Sequence, residues 1–393
     1  MFNLKSDNQT IEGKVTITFN TLEDVDSIQL YLNNTAVINR ITMNDTDLEY
    51  DRKSPKEFLV DVDVFLISIG QLNQKENEVC IWYSYSLKEI RHPNFVYRPD
   101  WIELSLYTGW YPFNLESKSF SYQIDFDLPK GYTLVSKEKV EQVNTTWKMN
   151  NSRKNMDIVC LLSNNIKTSI SKGKTISIHY KGYDSKQINQ LENTTNRIYE
   201  LFETKFGRRE LGTNITILAN PFNHPMSYAR RNIISISTNN NLTLKDELIL
   251  AHEIAHLWWN NASYGSYEEW LNESFAELSK LIWIGHKYGE KEVESKIVDY
   301  SDKSIDTQPI LNVGPNHRDW YRIAYLKGSI ILWEFKNKLG DDDFFRLCSN
   351  IADQKIATTE LLLKYAKKEV KEENVNWLLK QITKNGTENI KYK

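Results

Sequence analysis

The stretch His252-Glu253-Ile254-Ala255-His256, with Trp270-Leu271-Asn272-Glu273 close behind it, constrains this chain more than any other. Two histidines four apart on a helix stand about 40° apart around the axis and one turn along it, so both imidazoles can reach one ion. A helix is expected here, because Thr243 followed by Asp246 reads as a capping box. The segment to Trp259 also keeps a helical apolar period through Leu244, Leu248, Ala251, Ala255 and Trp259. Neutral imidazole is a good zinc ligand, and a carboxylate at Glu253 can take a proton from water that the metal has made more acidic.

A catalytic zinc site needs a third protein ligand and an open fourth position. Glu273 begins a second apolar-periodic segment, Trp270 to Tyr288, with Leu271, Phe275, Leu278, Ile282 and Trp283 spaced for a core-facing stripe. Antiparallel to the first helix, this segment aims Glu273 at the metal. Glu277, one turn on, either supports a ligand from behind or is a solvated carboxylate.

In this order HEIAH, WLNES and Tyr325-Leu326-Lys327-Gly328 resemble the aminopeptidase N family of gluzincin zinc peptidases. The likeness extends over residues 1 to about 350: the alternating runs Ile11 to Phe19, Val60 to Phe65 and Val79 to Tyr85 are similar to that family's leading β domain. Trp110-Tyr111-Pro112-Phe113 resembles its aromatic-proline turn. The resemblance implies that His252, His256 and Glu273 hold one zinc ion. It implies that Glu253 is the general base and that Tyr325 donates to the oxyanion of the tetrahedral intermediate.

The chain departs from the family pattern in three places. Sixteen residues separate His256 from Glu273, against about eighteen in the family, a difference that a shorter loop absorbs because loop length is cheap to vary. The family's Gly-x-Met-Glu-Asn segment, whose glutamate binds the substrate amine, has no acidic counterpart in Asn223-His224-Pro225-Met226-Ser227-Tyr228-Ala229-Arg230-Arg231-Asn232. Ser227, Tyr228, Ala229 and Arg230 are expected to line the cleft by main-chain pairing beside the strand Ile233 to Ser237. Arg230 and Arg231 either select an acidic group or are surface residues. Glu103, nine residues before Pro112, either replaces the acidic anchor or turns to solvent from its strand. Finally, the large helical domain common in the family is replaced by a few helices over 319–339, 342–352 and 358–368, so a more open cleft for longer or bulkier peptides is expected.

The predicted architecture is multidomain: an N-terminal antiparallel β sandwich over 1–185, a mixed α/β catalytic domain over 186–300 that the family resemblance identifies as thermolysin-like, and a short helical segment over 301–393 completing it. The change comes at Ser185, where short alternating strands give way to an amphipathic helix, Gln187 to Phe206, and then to strands Ile215 to Leu218 and Ile233 to Ser237. At 393 residues, 40% hydrophobic and 12% aromatic, the chain can build real cores. No apolar run is long enough to span a membrane, and the start lacks a secretory signal pattern. Forty-nine basic against fifty-two acidic residues leave a net charge of −3, which offers no field for nucleic acid. Cys80, Cys160 and Cys348 suggest free thiols in a reducing, cytoplasmic setting. The sequence specifies no oligomeric state. It reads as a zinc peptidase acting on peptides near their amino ends, with an endopeptidase or other amidase, and a non-catalytic peptide-binding module, as alternatives.

Overall fold

The computed structural model describes residues 1–5, 9–20, 25–55, 60–70, 77–114, 120–155, 157–171, 173, 175–208, 214–220, 222, 227–237 and 242–387. The chain divides into two compact units, the first through Lys167 and the second from Thr168.

The first unit is built from three sheets. The largest has eight strands, in the order 139–143, 146–155, 120–127, 2–4, 10–19, 77–86, 37–43 and 46–47. A four-stranded sheet holds 132–135, 160–164, 101–104 and 97–98, and a three-stranded one holds 27–33, 62–68 and 50–53. Two of the three expected alternating runs lie wholly within strands, and the third, Val60 to Phe65, enters its strand at Val62. Pairing is antiparallel except where Phe2–Leu4 lies parallel to Phe120–Asp127. That exception places Phe2 against Phe126 and Trp110 with ring centroids 5.1 Å apart in each case, and such a buried aromatic cluster explains why the first residues join the sheet.

The second unit has a five-stranded sheet in the order 167–170, 176–180, 215–220, 233–237 and 228–230. Strands 176–180, 215–220 and 233–237 run parallel, and Ile215–Asn220 is buried at every position, as a strand covered on both faces must be. Parallel neighbours need a long crossover, which α1 (Ser185–Phe206) supplies, capped by Asp184. The break in packing therefore precedes the change of period at Ser185, because strands 167–170 and 176–180 join the second sheet.

The remaining helices follow: α2 (Leu244–Ala255), α3 (Trp270–Tyr288), α4 (Glu290–Ser304), α5 (Gly328–Leu339), α6 (Asp341–Asp353), α7 (Thr359–Glu369) and α8 (Glu372–Thr383), with a π-helical segment, Tyr321–Lys327, leading into α5. One continuous apolar core joins α1 to α8 with the sheet. Sequence reading did not anticipate α4 or α8. None of the described helices is long and apolar enough to cross a membrane.

Candidate metal and active site

Helix α2 begins where its capping box requires: the Thr243 hydroxyl accepts from the Asp246 amide at 3.3 Å and the Asp246 carboxylate accepts from the Thr243 amide at 2.9 Å. Leu250, Ala251, Ile254 and Ala255 form its buried face, whereas Leu244 stays 53% exposed, so the inward stripe differs from the expected one at its start. The helix stops at Ala255 rather than continuing to Trp259. His256 is its C-cap, and its Nδ1 bonds the Trp259 carbonyl at 2.9 Å.

Helix α3 packs antiparallel to α2. Glu247, in the first turn of α2, receives the Trp283 indole N–H at 2.7 Å, the Tyr288 hydroxyl at 3.0 Å and the Lys287 ammonium, all from the last turns of α3. At the other end the Asn272 side chain closes the connecting loop, accepting the Ala262 amide and donating to its carbonyl, both at 3.1 Å. Trp270 donates to the Thr359 hydroxyl at 2.8 Å. The WLNE residues thus set the entry of α3, and the short loop still brings Glu273 to the histidines.

Glu273 Oε2 stands 3.2 Å from His252 Nε2 and 3.6 Å from His256 Nε2, and the three donors lie within 4.8 Å of one another. Tetrahedral ligands about 2.0–2.1 Å from zinc stand roughly 3.3 Å apart, so the set fits that ion. Each imidazole has its other nitrogen on an oxygen: His256 on Trp259, and His252 Nδ1 on Glu277 Oε2 at 2.9 Å. That arrangement directs both Nε2 atoms inward. Burial alone would lower the His252 pKa, but the Glu273 and Glu277 carboxylates outweigh it and hold it up at about 10, so the pocket favours a positive charge.

Glu277 is not solvated. It is buried, bonds His252, accepts the Tyr300 hydroxyl from α4 and pairs with Lys280; burial would raise its pKa, but Lys280 and His252 hold it down at about 2. Sequence reading missed Tyr300. The period of Val293, Ile297, Tyr300 and Ser304, all buried, was the signal available for it.

Glu253 is buried, which raises its pKa, while the charges of His252, His256 and Arg230 pull the other way. The Tyr325 ring stacks on His252, centroids 5.6 Å apart and 8° from parallel, and its phenol interacts with the Glu273 carboxylate. Tyr325 sits in the π-helical segment, where the Ala324 carbonyl takes the Ser274 hydroxyl at 2.6 Å. The site therefore brings together all five residues singled out for chemistry.

Of the residues expected to bind substrate, Tyr228, Ala229 and Arg230 form the edge strand of the second sheet, and Ser227 leads into it. The strand Ile233–Ser237 is internal, paired on both sides. Tyr228 and Ala229 are buried; Arg230 is half-buried, donates to the Ala229 carbonyl at 3.0 Å and lies 5.1 Å over the Tyr264 ring. Asn223 to Met226 lie outside the described residues. Glu103 belongs to the first unit, where it is buried and accepts the Trp101 indole N–H at 2.7 Å, which excludes the solvent-facing reading.

Residues 223–382 match the family profile described as the Peptidase family M1 domain. Among solved structures the chain is similar to an M1 zinc metallopeptidase of Deinococcus radiodurans bound to a Tyr-Ser-Ala substrate, at 14% identity and a TM-score of 0.75, over 98% of this chain and 93% of that one. It is also similar to native yeast LTA4 hydrolase, at 16% identity and a TM-score of 0.76, over 100% of this chain and 68% of that one. No curated protein matches its sequence.

Proposed function

We propose that this chain, whose residues 223–382 match the profile of the peptidase family M1 domain, is a metallopeptidase that removes residues from the amino ends of peptides. The observation that carries the reading is the convergence of His252, His256 and Glu273 with Glu253 and Tyr325 around them. In this reading His252, His256 and Glu273 hold one zinc ion, which when bound supplies a Lewis acid for water and for the scissile carbonyl.

The other steps belong to the chain. Glu253 takes the proton of the attacking water as the C–O bond forms, and returns it to the amine nitrogen as the C–N bond breaks. Its pKa, raised by burial, suits both roles, since it takes a proton more readily than an exposed carboxylate does. The Tyr325 phenol turns from Glu273 to donate to the oxyanion, a charge present only during reaction. An extended peptide pairs through its main chain with the edge strand at Ser227 to Arg230. Three unpaired cysteines support a cytoplasmic setting.

The test is hydrolysis of an unblocked tripeptide, followed by release of its first residue, with zinc content measured in parallel. Glu253→Gln should keep the ion and lose about 10²–10⁴-fold in kcat. An unchanged rate would refute the assignment, and equal cleavage of the acetylated tripeptide would refute action at the amino end.

A further inference from the structure

Glu269 has no task in that chemistry, yet it is a carboxylate only 6% exposed, one helical turn before Glu273. It is the N-cap of α3, and Glu269, Glu273 and Glu277 stand at four-residue steps on one helix face, neighbours about 5–6 Å apart at Cβ. Glu277 meets the rear of His252 and Glu273 meets both Nε2 atoms, so Glu269 comes next along the face, beyond His256. Among the described residues, only the Gly265 amide bonds to it, through Oε2 at 2.8 Å.

Arg230 locates Glu269 with respect to the chemistry. The guanidinium at the end of the edge strand acts electrostatically on both Glu253 and Glu269, so the proposed base, the end of the strand and the unused carboxylate share one neighbourhood. The edge strand on which a peptide would pair therefore ends in the neighbourhood of both carboxylates. Burial, and then the charge of Glu273, push the Glu269 carboxyl up to about 7 against the pull of Gly265 and Arg230. Such a group gains from any cation brought to it. The segment Ser227 to Arg230 carries no acid of its own.

We propose that Glu269 is the acidic anchor of the substrate pocket, receiving a cation on the first residue of the peptide. The α-ammonium is one source of that charge and a basic first side chain the other. The proposal rests on the peptidase reading above and adds the group that selects for an unblocked or basic end.

The test compares wild type with Glu269→Gln on alanyl, lysyl and acetyl-alanyl arylamides, after circular dichroism and zinc content have shown the variant folded and loaded. Loss of one charge-assisted bond should cost about tenfold to a hundredfold in kcat/KM. If the α-ammonium is bound, alanyl and lysyl substrates lose alike; if the side chain is bound, only the lysyl substrate loses. The acetylated substrate is unaffected in either case. No loss on either free substrate, or an equal loss on the acetylated one, would overturn the proposal. Calorimetric titration with alaninamide, lysinamide and acetyl-alaninamide reads the same selectivity without turnover, so a protein that bound these cations but cleaved nothing would sink the peptidase reading and leave the anchor standing.

Discussion

At the scale of single residues, His252 is engaged on both ring nitrogens and on its face. It lies between two buried carboxylates, with Glu273 on one nitrogen and Glu277 on the other, and carries the Tyr325 ring against its face. Those carboxylates keep it protonated at neutral pH unless another cation takes the proton's place. The stacking separates two roles of Tyr325, since a phenylalanine keeps the ring and loses only the hydroxyl. Tyr325→Phe is therefore expected to retain zinc and to change KM little. It should lower kcat about 10²–10³-fold, the usual cost of one oxyanion donor. Steady-state kinetics with metal analysis checks this, and an undiminished kcat would remove Tyr325 from the chemistry.

At the scale of elements, Tyr325 depends on how the π-helical segment is held. Ser274 of α3 ties down the Ala324 carbonyl, and Lys327 is buried with its ammonium on the carbonyls of Gln308 and Lys384, at 2.8 and 2.6 Å. Gly328 follows at the closest approach to α3: a Cβ there would stand 1.9 Å from Ser274 Oγ and 2.8 Å from its Cβ. Gly328→Ala is thus expected to cost about 1–3 kcal/mol by overpacking and to lower kcat by shifting Tyr325. Adding Ser274→Gly removes both clashing atoms, so the pair should deviate from additivity by about 0.5–3 kcal/mol in a denaturation cycle; additive effects would show that this contact is not the cause. The same neighbourhood shows what was readable from sequence alone. The α2 and α3 helices were legible because a capping box, a four-residue histidine step and a regular apolar stripe agree locally. Helix α4 was not, because its apolar period, Val293, Ile297 and Tyr300, is short and set among charges, and its position follows from packing on α3. Glu269 escaped notice for a related reason: a carboxylate beside Glu268 looks like solvated surface until the fold buries it.

At the scale of the whole molecule, the second unit can be judged for how far it needs an ion. Its core runs through the sheet and all eight helices; α2 is pinned to α3 by Glu247 with Trp283, and the loop that follows α2 by Trp259 with Ser279 at 3.0 Å and by Ala262 with Asn272. None of those contacts passes through the candidate ligands. The metal should therefore stabilise a fold that exists without it, in contrast to small zinc domains that unfold when stripped. Binding to the folded state alone adds RT ln(1 + [L]/Kd), about 4 kcal/mol at a thousandfold excess over Kd, and for a unit of this size that moves Tm by on the order of 10 °C. Chelation is accordingly expected to abolish peptide hydrolysis, to lower Tm by that amount and to leave the far-ultraviolet helical signal at 25 °C unchanged, with one equivalent of zinc restoring activity. Thermal scans and circular dichroism before and after chelation decide the matter. Loss of the helical signal would mean that the ion builds the unit, and an unmoved Tm would mean that His252, His256 and Glu273 hold no metal.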